Sequence, residues 1–323
     1  MRRTALAVLL TLAMLAGGAV MYGLHAYDQP GPLVAARDVL VPHGGADEVA
    51  EALGREGVIT SPWLLQAATL LTRGNGTIHA GELAFPAGAS PRQVLQVLRA
   101  GKPVQHYVTI PEGLTAAQVG ALLDRTPILE GGPVLPPEGA LLPETYAFER
   151  GTTRSALVWR AGKAMERALD RAWAARSPAL PLDTPRDVLI LASIVERETA
   201  KPDERPRIAA VFLNRLRQGM RLQSDPTVVY GASGGTGVLD HGLTRAELDR
   251  NDPYNTYRIA GLPPGPISMP GAAALRAVTQ PARSDELFFV ADGTGGHVFA
   301  RTQDEHLRNV ARWREVERAR RQP

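Results

Sequence analysis

At 323 residues the chain is long enough for two domains, each with a core of its own. Its 44% hydrophobic and 21% charged residues describe a folded protein, and a formal net charge of +3 is too small to argue for nucleic acid as a partner. Cysteine is absent, which excludes disulfides, thiol nucleophiles and Cys-ligated zinc.

The chain opens with Arg2 and Arg3, followed by an apolar run over 5–24 broken only by Thr11 and three glycines. About 20 apolar residues suffice to cross a bilayer core. Arginines before the run and none just after it place the N-terminus in the cytoplasm and the remainder outside. A cleaved signal peptide is the alternative, but the run is long for one and Leu24-His25-Ala26 is a poor small-x-small site. The expected localisation is the cell inner membrane, single-pass, with the bulk of the chain periplasmic.

A phrase then recurs three times: Val41-Pro42-His43-Gly44-Gly45, Phe85-Pro86-Ala87-Gly88-Ala89 and Ile110-Pro111-Glu112-Gly113-Leu114. Each predicts a strand, a tight Pro-x-Gly turn and a helix, over 47–53, 91–98 and 116–123. A further helix starts at Ser61-Pro62, with Ser61 as N-cap and Pro62 at the first helical position. The strand-helix-helix-strand order up to Ala80-Gly81-Glu82-Leu83 resembles a LysM module, a small glycan-gripping fold; a generic α+β cap is the other reading.

Proline-rich sequence over 127–143 reads as loop, and an amphipathic helix follows over 153–176. Thr184-Pro185-Arg186-Asp187 is a helix start with the makings of a capping box. The residues after it, Val188 to Val195, are apolar on nearly every face, which predicts a helix buried all round. That helix delivers Glu196-Arg197-Glu198-Thr199 before Pro202. The next helix, over 204–218, turns Ile208, Val211, Phe212 and Leu216 inward and stops at Gly219.

Two acids at the end of a buried helix are the most informative feature. Desolvation raises a carboxyl pKa and keeps the group protonated near neutrality, as protonating a glycosidic oxygen requires. Residues two apart on a helix project about 200° from one another, so Glu196 and Glu198 cannot share one bond as acid and nucleophile. One faces a cleft and the other is structural. The competing reading has both as solvated helix-end residues, one paired with Arg197 or Arg205.

Longer phrases bear on that choice. Glu138-Gly139-Ala140-Leu141-Leu142-Pro143-Glu144-Thr145-Tyr146, Leu191-Ala192-Ser193-Ile194-Val195-Glu196-Arg197-Glu198-Thr199 and Gln223-Ser224-Asp225-Pro226-Thr227-Val228-Val229-Tyr230-Gly231 occur in that order. Tyr254-Asn255-Thr256-Tyr257-Arg258, Gly261-Leu262-Pro263-Pro264-Gly265-Pro266-Ile267, Phe288-Phe289-Val290-Ala291-Asp292-Gly293 and Gly295-Gly296-His297-Val298-Phe299 follow. Together they resemble the MltG (YceG-like) family of endolytic murein transglycosylases over almost the whole chain. The resemblance implies an α+β protein: a single N-terminal transmembrane helix (1–27), a small LysM-like subdomain (28–105) and a larger mixed α+β catalytic domain (106–323). It implies a lyase that cuts nascent peptidoglycan between N-acetylmuramic acid and N-acetylglucosamine and leaves 1,6-anhydro ends, terminating strand elongation. The family's catalytic glutamate falls on Glu198, with Glu196 and Glu144 structural near the site. Its expected partners are peptidoglycan strands, the inner membrane and peptidoglycan synthases, with no nucleic acid. No cofactor and no metal are expected.

Gln223, Ser224, Asp225, Tyr254, Asn255 and Tyr257 are the candidate substrate-binding residues. Each has a plain alternative: Gln223-Ser224-Asp225 as a loop with an Asx turn, and the Tyr254-to-Tyr257 phrase as loop-ordering. His297 either completes a turn or contacts ligand, and the basic stretch over 308–321 reads as a solvated helix. Three rivals remain in view: a non-catalytic wall-binding module, a true muramidase, and a pyridoxal-phosphate lyase. The last would need its Schiff-base lysine among Lys102, Lys163 and Lys201, the only lysines.

Overall fold

The computed structural model describes residues 2–321. Met1, Gln322 and Pro323, which end the first and last expected domains, lie outside the described residues. So do the side chains of Arg2 and Arg3, on which the membrane orientation rests, and of Arg321. The chain is mixed α+β and divides into two compact units.

The first unit comprises the residues up to His106 with Phe148–Arg150. It opens with α1 (Arg2–Asp28), whose stretch Leu6–Asp28 is long and apolar enough to cross a membrane and is not buried in the protein. Next come β1 (Arg37–Val41), α2 (Ala46–Arg55), α3 (Pro62–Leu71), β2 (Gly81–Phe85) and α4 (Pro91–Ala100). β1 and β2 pair antiparallel, with Val39 opposite Leu83 and Val41 opposite Gly81. The alternation along β1 puts Val39 and Val41 inward, where they share one core with Leu53 of α2, Val58 just after it, Leu65 of α3 and Leu95 of α4. Gly88 takes φ +62° in the turn between β2 and α4, a conformation that disfavours a side chain. Ser90 then caps α4 reciprocally with Gln93. Buried Glu82 on β2 accepts hydrogen bonds from Arg150 (2.8 Å) and His106 (2.5 Å); the Arg150 guanidinium is the main reason its carboxyl lies below the usual range.

The second unit comprises Tyr107–Ala147 and the chain from Gly151. It contains most of β3 (His106–Thr109) and β4 (Thr145–Phe148), which pair, and α5 (Ala116–Asp124) between them. The third copy of the repeated phrase supplies the turn from β3 into α5, with Gly113 at φ +78°. Then follow α6 (Arg154–Ala174), α7 (Pro185–Glu198), α8 (Arg205–Arg217), α9 (Asp225–Ala232), α10 (Arg245–Asp249) and α11 (Ala272–Thr279). A hairpin of β5 (Phe288–Ala291) and β6 (His297–Ala300) precedes α12 (Gln303–Arg321).

α7 is the axis of this unit. Thr184 accepts from the Asp187 amide (3.2 Å) while the Asp187 carboxylate accepts from the Thr184 amide (2.9 Å), closing the capping box. Val188 and every residue from Ile190 to Glu196 are buried, packed among α6, α8, α9 and α11. The Gly-Pro-rich phrase runs along this helix. Ile267 donates its amide to the Ser193 hydroxyl (3.0 Å), and Ser268 donates its hydroxyl to the Ser193 carbonyl (3.0 Å). Buried Ser193 therefore fastens a loop that has no regular structure of its own.

Candidate active site

α7 stops at Glu198, and Thr199 turns into extended backbone at φ −145°, so both acids of the sequence motif lie in the last turn. They part company there. Glu196 is buried; it accepts from Arg205 Nη2 (2.7 Å) and from the Gly271 amide (2.8 Å). The same Arg205 nitrogen reaches Glu112 at 3.1 Å. Burial raises the Glu196 carboxyl above its ordinary range, and these partners fix it as an internal tie between α7, α8 and the start of α11. Arg197 points elsewhere and donates to the carbonyls of Gly113 and Gly237, both at 3.1 Å.

Glu198 is half-buried and accepts one hydrogen bond, from the Ser224 hydroxyl at 2.5 Å. Burial pushes its carboxyl up to about 7, with the nearby Asp225 adding to the rise and the Ser224 bond and Arg215 opposing it. A carboxyl in this state keeps a transferable proton close to neutral pH.

Glu198 opens onto a cavity of about 360 Å³. Gln223 and Asp225 line one wall with Tyr257, whose hydroxyl donates to Asp225 Oδ1 at 2.6 Å. Phe289 to Ala291 of β5, His297 and His306 line the other, and Arg215 reaches in from α8. His297 is held by Glu204, which accepts from its amide (3.0 Å) and from its ring Nδ1 (2.7 Å). Glu204 also accepts from Thr199, the residue after Glu198, at 3.3 Å, so one carboxylate sets the hairpin against the end of α7. Glu198 also borders a second cavity, of about 470 Å³, with Glu112, Gly113, Arg197 and Ala200.

The loop ahead of α9 is built to place Ser224. Its amide donates to Thr256 Oγ1 (2.9 Å), and the Thr227 hydroxyl donates to the Ser224 carbonyl (2.6 Å) while lying 2.8 Å from Thr256 Oγ1. Ser224, Thr227 and Thr256 are all buried. Gln223, just before them, sits at φ +52°, a left-handed conformation that costs a non-glycine residue and marks the loop as held by its surroundings.

Of the six residues read from sequence as substrate-binding, the structure brings Gln223, Asp225 and Tyr257 to the cavity and sets Ser224 on the Glu198 carboxyl. Asn255 is buried; its amide nitrogen donates to the carbonyls of Leu248 (3.0 Å) and Arg250 (2.8 Å), which orders the preceding loop. Tyr254 packs against Tyr230, with ring centroids 4.8 Å apart. Glu144 is exposed and offers its backbone carbonyl to Ile110 at 3.0 Å. The acid of that phrase with a defined task is Glu138, which accepts from the Ala116 amide (3.0 Å) at the start of α5. Asp225 is the first residue of α9 instead of a loop residue, because Pro226 suits a first helical turn as well as a break.

Sequence reasoning missed Arg215 and His306. Arg215 is buried, donating Nε to the Leu287 carbonyl and Nη1 to the Leu222 carbonyl, both at 2.6 Å. Its signal was a charged residue at i+7 from Ile208 and i+4 from Val211, on the apolar face of α8. His306 stacks on Phe288 at 5.1 Å, and nothing local distinguishes it from a solvated helix residue. Among the described residues no group of His, Asp and Glu could hold a metal ion.

The fold and site define a mixed α+β protein with an N-terminal apolar helix and a cleft centred on one half-buried, protonatable glutamate. Residues 39–312 match the model of the YceG-like family, and the chain belongs to that family. Two curated relatives carry the name endolytic murein transglycosylase. One, from Streptococcus pneumoniae serotype 2 (strain D39), is 37% identical over 202 residues, covering 60% of this chain and 35% of that protein. The other, from Bacillus subtilis (strain 168), is 34% identical over 171 residues, covering 53% of this chain and 46% of that protein. The matched stretches thus span less than half of each relative's length. A solved YceG-like protein from Listeria monocytogenes is 28% identical with a TM-score of 0.52, over 84% of this chain and 98% of that one.

Proposed function

We propose that this chain is an endolytic peptidoglycan transglycosylase, a lyase that uses Glu198 first as general acid and then as general base. One observation carries the reading: Glu198 is the carboxyl that burial holds up at about 7 while it faces a solvent-open cavity. The protonated carboxyl gives its proton to the glycosidic oxygen as the bond to the muramyl anomeric carbon breaks. The resulting carboxylate is stabilised by the Ser224 hydroxyl and by Arg215. It then takes the proton from the muramyl C6 hydroxyl, whose oxygen closes onto the anomeric carbon. Atoms balance without water, and the nucleophile is tethered to the reacting sugar. Two cavities that share Glu198 in their lining suit a strand cut internally, and the names of the relatives support the substrate.

A second reading rests on Asp225. It shares the cavity with Glu198, and a second carboxylate could serve a hydrolase as base or nucleophile. The product separates the two. Mass spectrometry of peptidoglycan digested by the purified protein should find 1,6-anhydro-muramic ends; mainly reducing muramic ends would favour the hydrolase.

The rest of the proposal concerns placement. α1 is read as an uncleaved inner-membrane anchor with its N-terminus in the cytoplasm, which puts the cleft on the side of nascent glycan. The β1-α2-α3-β2 unit is read as LysM-like and suited to the same polymer. Cutting nascent strands would end their elongation beside peptidoglycan synthases, the partners this reading names. Fractionation tests the anchor: a soluble protein shortened by about 26 residues would mean a signal peptide instead.

A further inference from the structure

α3 is ten residues long and carries no charge: Pro62-Trp63-Leu64-Leu65-Gln66-Ala67-Ala68-Thr69-Leu70-Leu71. One face is accounted for, since Leu64, Leu65 and Ala68 are buried in the core of the first unit. The opposite face is also apolar. Trp63, Ala67, Leu70 and Leu71 follow at i, i+4, i+7 and i+8, and Trp63, Leu70 and Leu71 are 59%, 66% and 83% exposed. Thr69 adds little polarity, because its hydroxyl is bound to the Leu65 carbonyl at 2.7 Å. A helix apolar on both faces expects both to be covered.

What covers the outer face follows from where α3 begins. Trp63, Leu64 and Ser61 share a crevice of about 290 Å³ with Tyr22, His25 and Ala26 of α1. A bilayer core takes up about 20 residues of helix. The apolar run of α1 therefore leaves the hydrocarbon near Leu24, and Tyr22 stands at the level where aromatic side chains gather at the lipid–water boundary. Trp63 stands beside it. Arg73, exposed just past the stripe, is placed to reach lipid phosphates.

We propose that the outward face of α3 lies in the headgroup layer of the membrane that α1 enters, with Trp63 and Leu70 as its anchors. The inference rests on reading α1 as a membrane span. It makes the first unit a two-point membrane attachment: one helix through the bilayer and one lying on it. A helix on the surface restrains rotation of the unit about its single span.

The chain has no cysteine, so single-cysteine variants can be spin-labelled without background. Full-length Trp63→Cys, Leu70→Cys, Leu15→Cys and Glu51→Cys would be placed in vesicles of phosphatidylethanolamine and phosphatidylglycerol. Label collisions are then measured with oxygen, which partitions into lipid, and with a water-soluble nickel chelate. Leu15 in α1 and exposed Glu51 in α2 mark the lipid and water limits. The expected result is oxygen access at 63 and 70, with nickel collisions several-fold below those at 51. Nickel access at 63 and 70 equal to that at 51, with 15 in lipid, overturns the surface contact alone. Protection of 63 and 70 from both reagents means a protein covers the stripe and overturns the lipid. Nickel access at 15 overturns the anchor reading, and the inference with it.

Discussion

The Ser224 hydroxyl donates to Glu198 Oε1 at 2.5 Å across 26 residues of chain. It opposes the desolvation that raises the Glu198 carboxyl, because a donor favours the charged form. Removing it in Ser224→Ala should raise the Glu198 pKa further. The alkaline limb of the pH–rate profile should move to higher pH while the maximal rate falls, since the carboxylate formed after proton donation loses its donor. A profile with an unmoved limb would show that Ser224 does not act on Glu198.

Glu198→Gln keeps size and removes the transferable proton. General acid–base assistance is worth roughly 10²–10⁴ in rate, so turnover should fall by at least about that factor with the fold intact. Activity of the unaltered protein should fall as pH rises through about 7, where the carboxyl loses its proton. Peptidoglycan digestion followed by chromatography of the anhydro products measures both.

The same carboxyl links stability to pH. Its folded pKa, about 7, lies above its ordinary 4.5, so between those values the folded state holds more protons than the unfolded one. Stability from this group is therefore fully present below pH 4.5 and is lost as pH rises through 7. Glu198→Gln should remove this dependence and be the more stable protein at pH 8, by an amount on the order of 3 kcal/mol. Thermal melts of both proteins at pH 5 and pH 8 test it; an equal gap at the two pH values would contradict the linkage.

Glu196 should behave in the opposite way. Its carboxylate and Arg205 form a pair with side chains 2% and 10% exposed, and breaking such a pair strands a buried charge. Glu196→Ala should cost about 3–5 kcal/mol. Glu196→Gln should cost less, because an amide can still accept from Arg205. In both, the melting temperature should suffer more than the turnover of the protein that remains folded. A collapse of turnover confined to Glu196→Gln would mean that the catalytic role belongs to the other glutamate.

Gln223 combines a strained backbone with a side chain in the cavity. Gln223→Gly accepts φ +52° without strain, offset in part by the greater freedom of glycine in the unfolded chain. The melting temperature should hold or rise slightly, whereas turnover on peptidoglycan should drop. Loss of both together would assign Gln223 to packing instead of to the site.

Much of the fold was legible along the chain because it rests on short-range rules. The Pro-x-Gly turns, the Thr184–Asp187 box, the start of α3 at Ser61-Pro62 and the stop at Gly219 follow from backbone sterics and caps that span a few residues. The run 188–195, apolar except for Ser193, announced a buried helix in the same way, and the last turn of that helix announced that one of two acids must face a cleft. By itself the sequence therefore determined the apolar N-terminal helix, most of the elements as far as α8 and the pair of glutamates from which a site residue would come. Which neighbours those glutamates meet was decided only by the tertiary structure. Ser224, Arg215, Asp225 and the β5–β6 hairpin come from separate segments, and Asn255 and Tyr254 turn out to hold loops while Arg215 and His306 enter the cavity. The reason is physical: a carboxyl's proton affinity is set by how much water the surrounding segments remove and which charges they bring. Neither is a property of the residues adjacent in sequence.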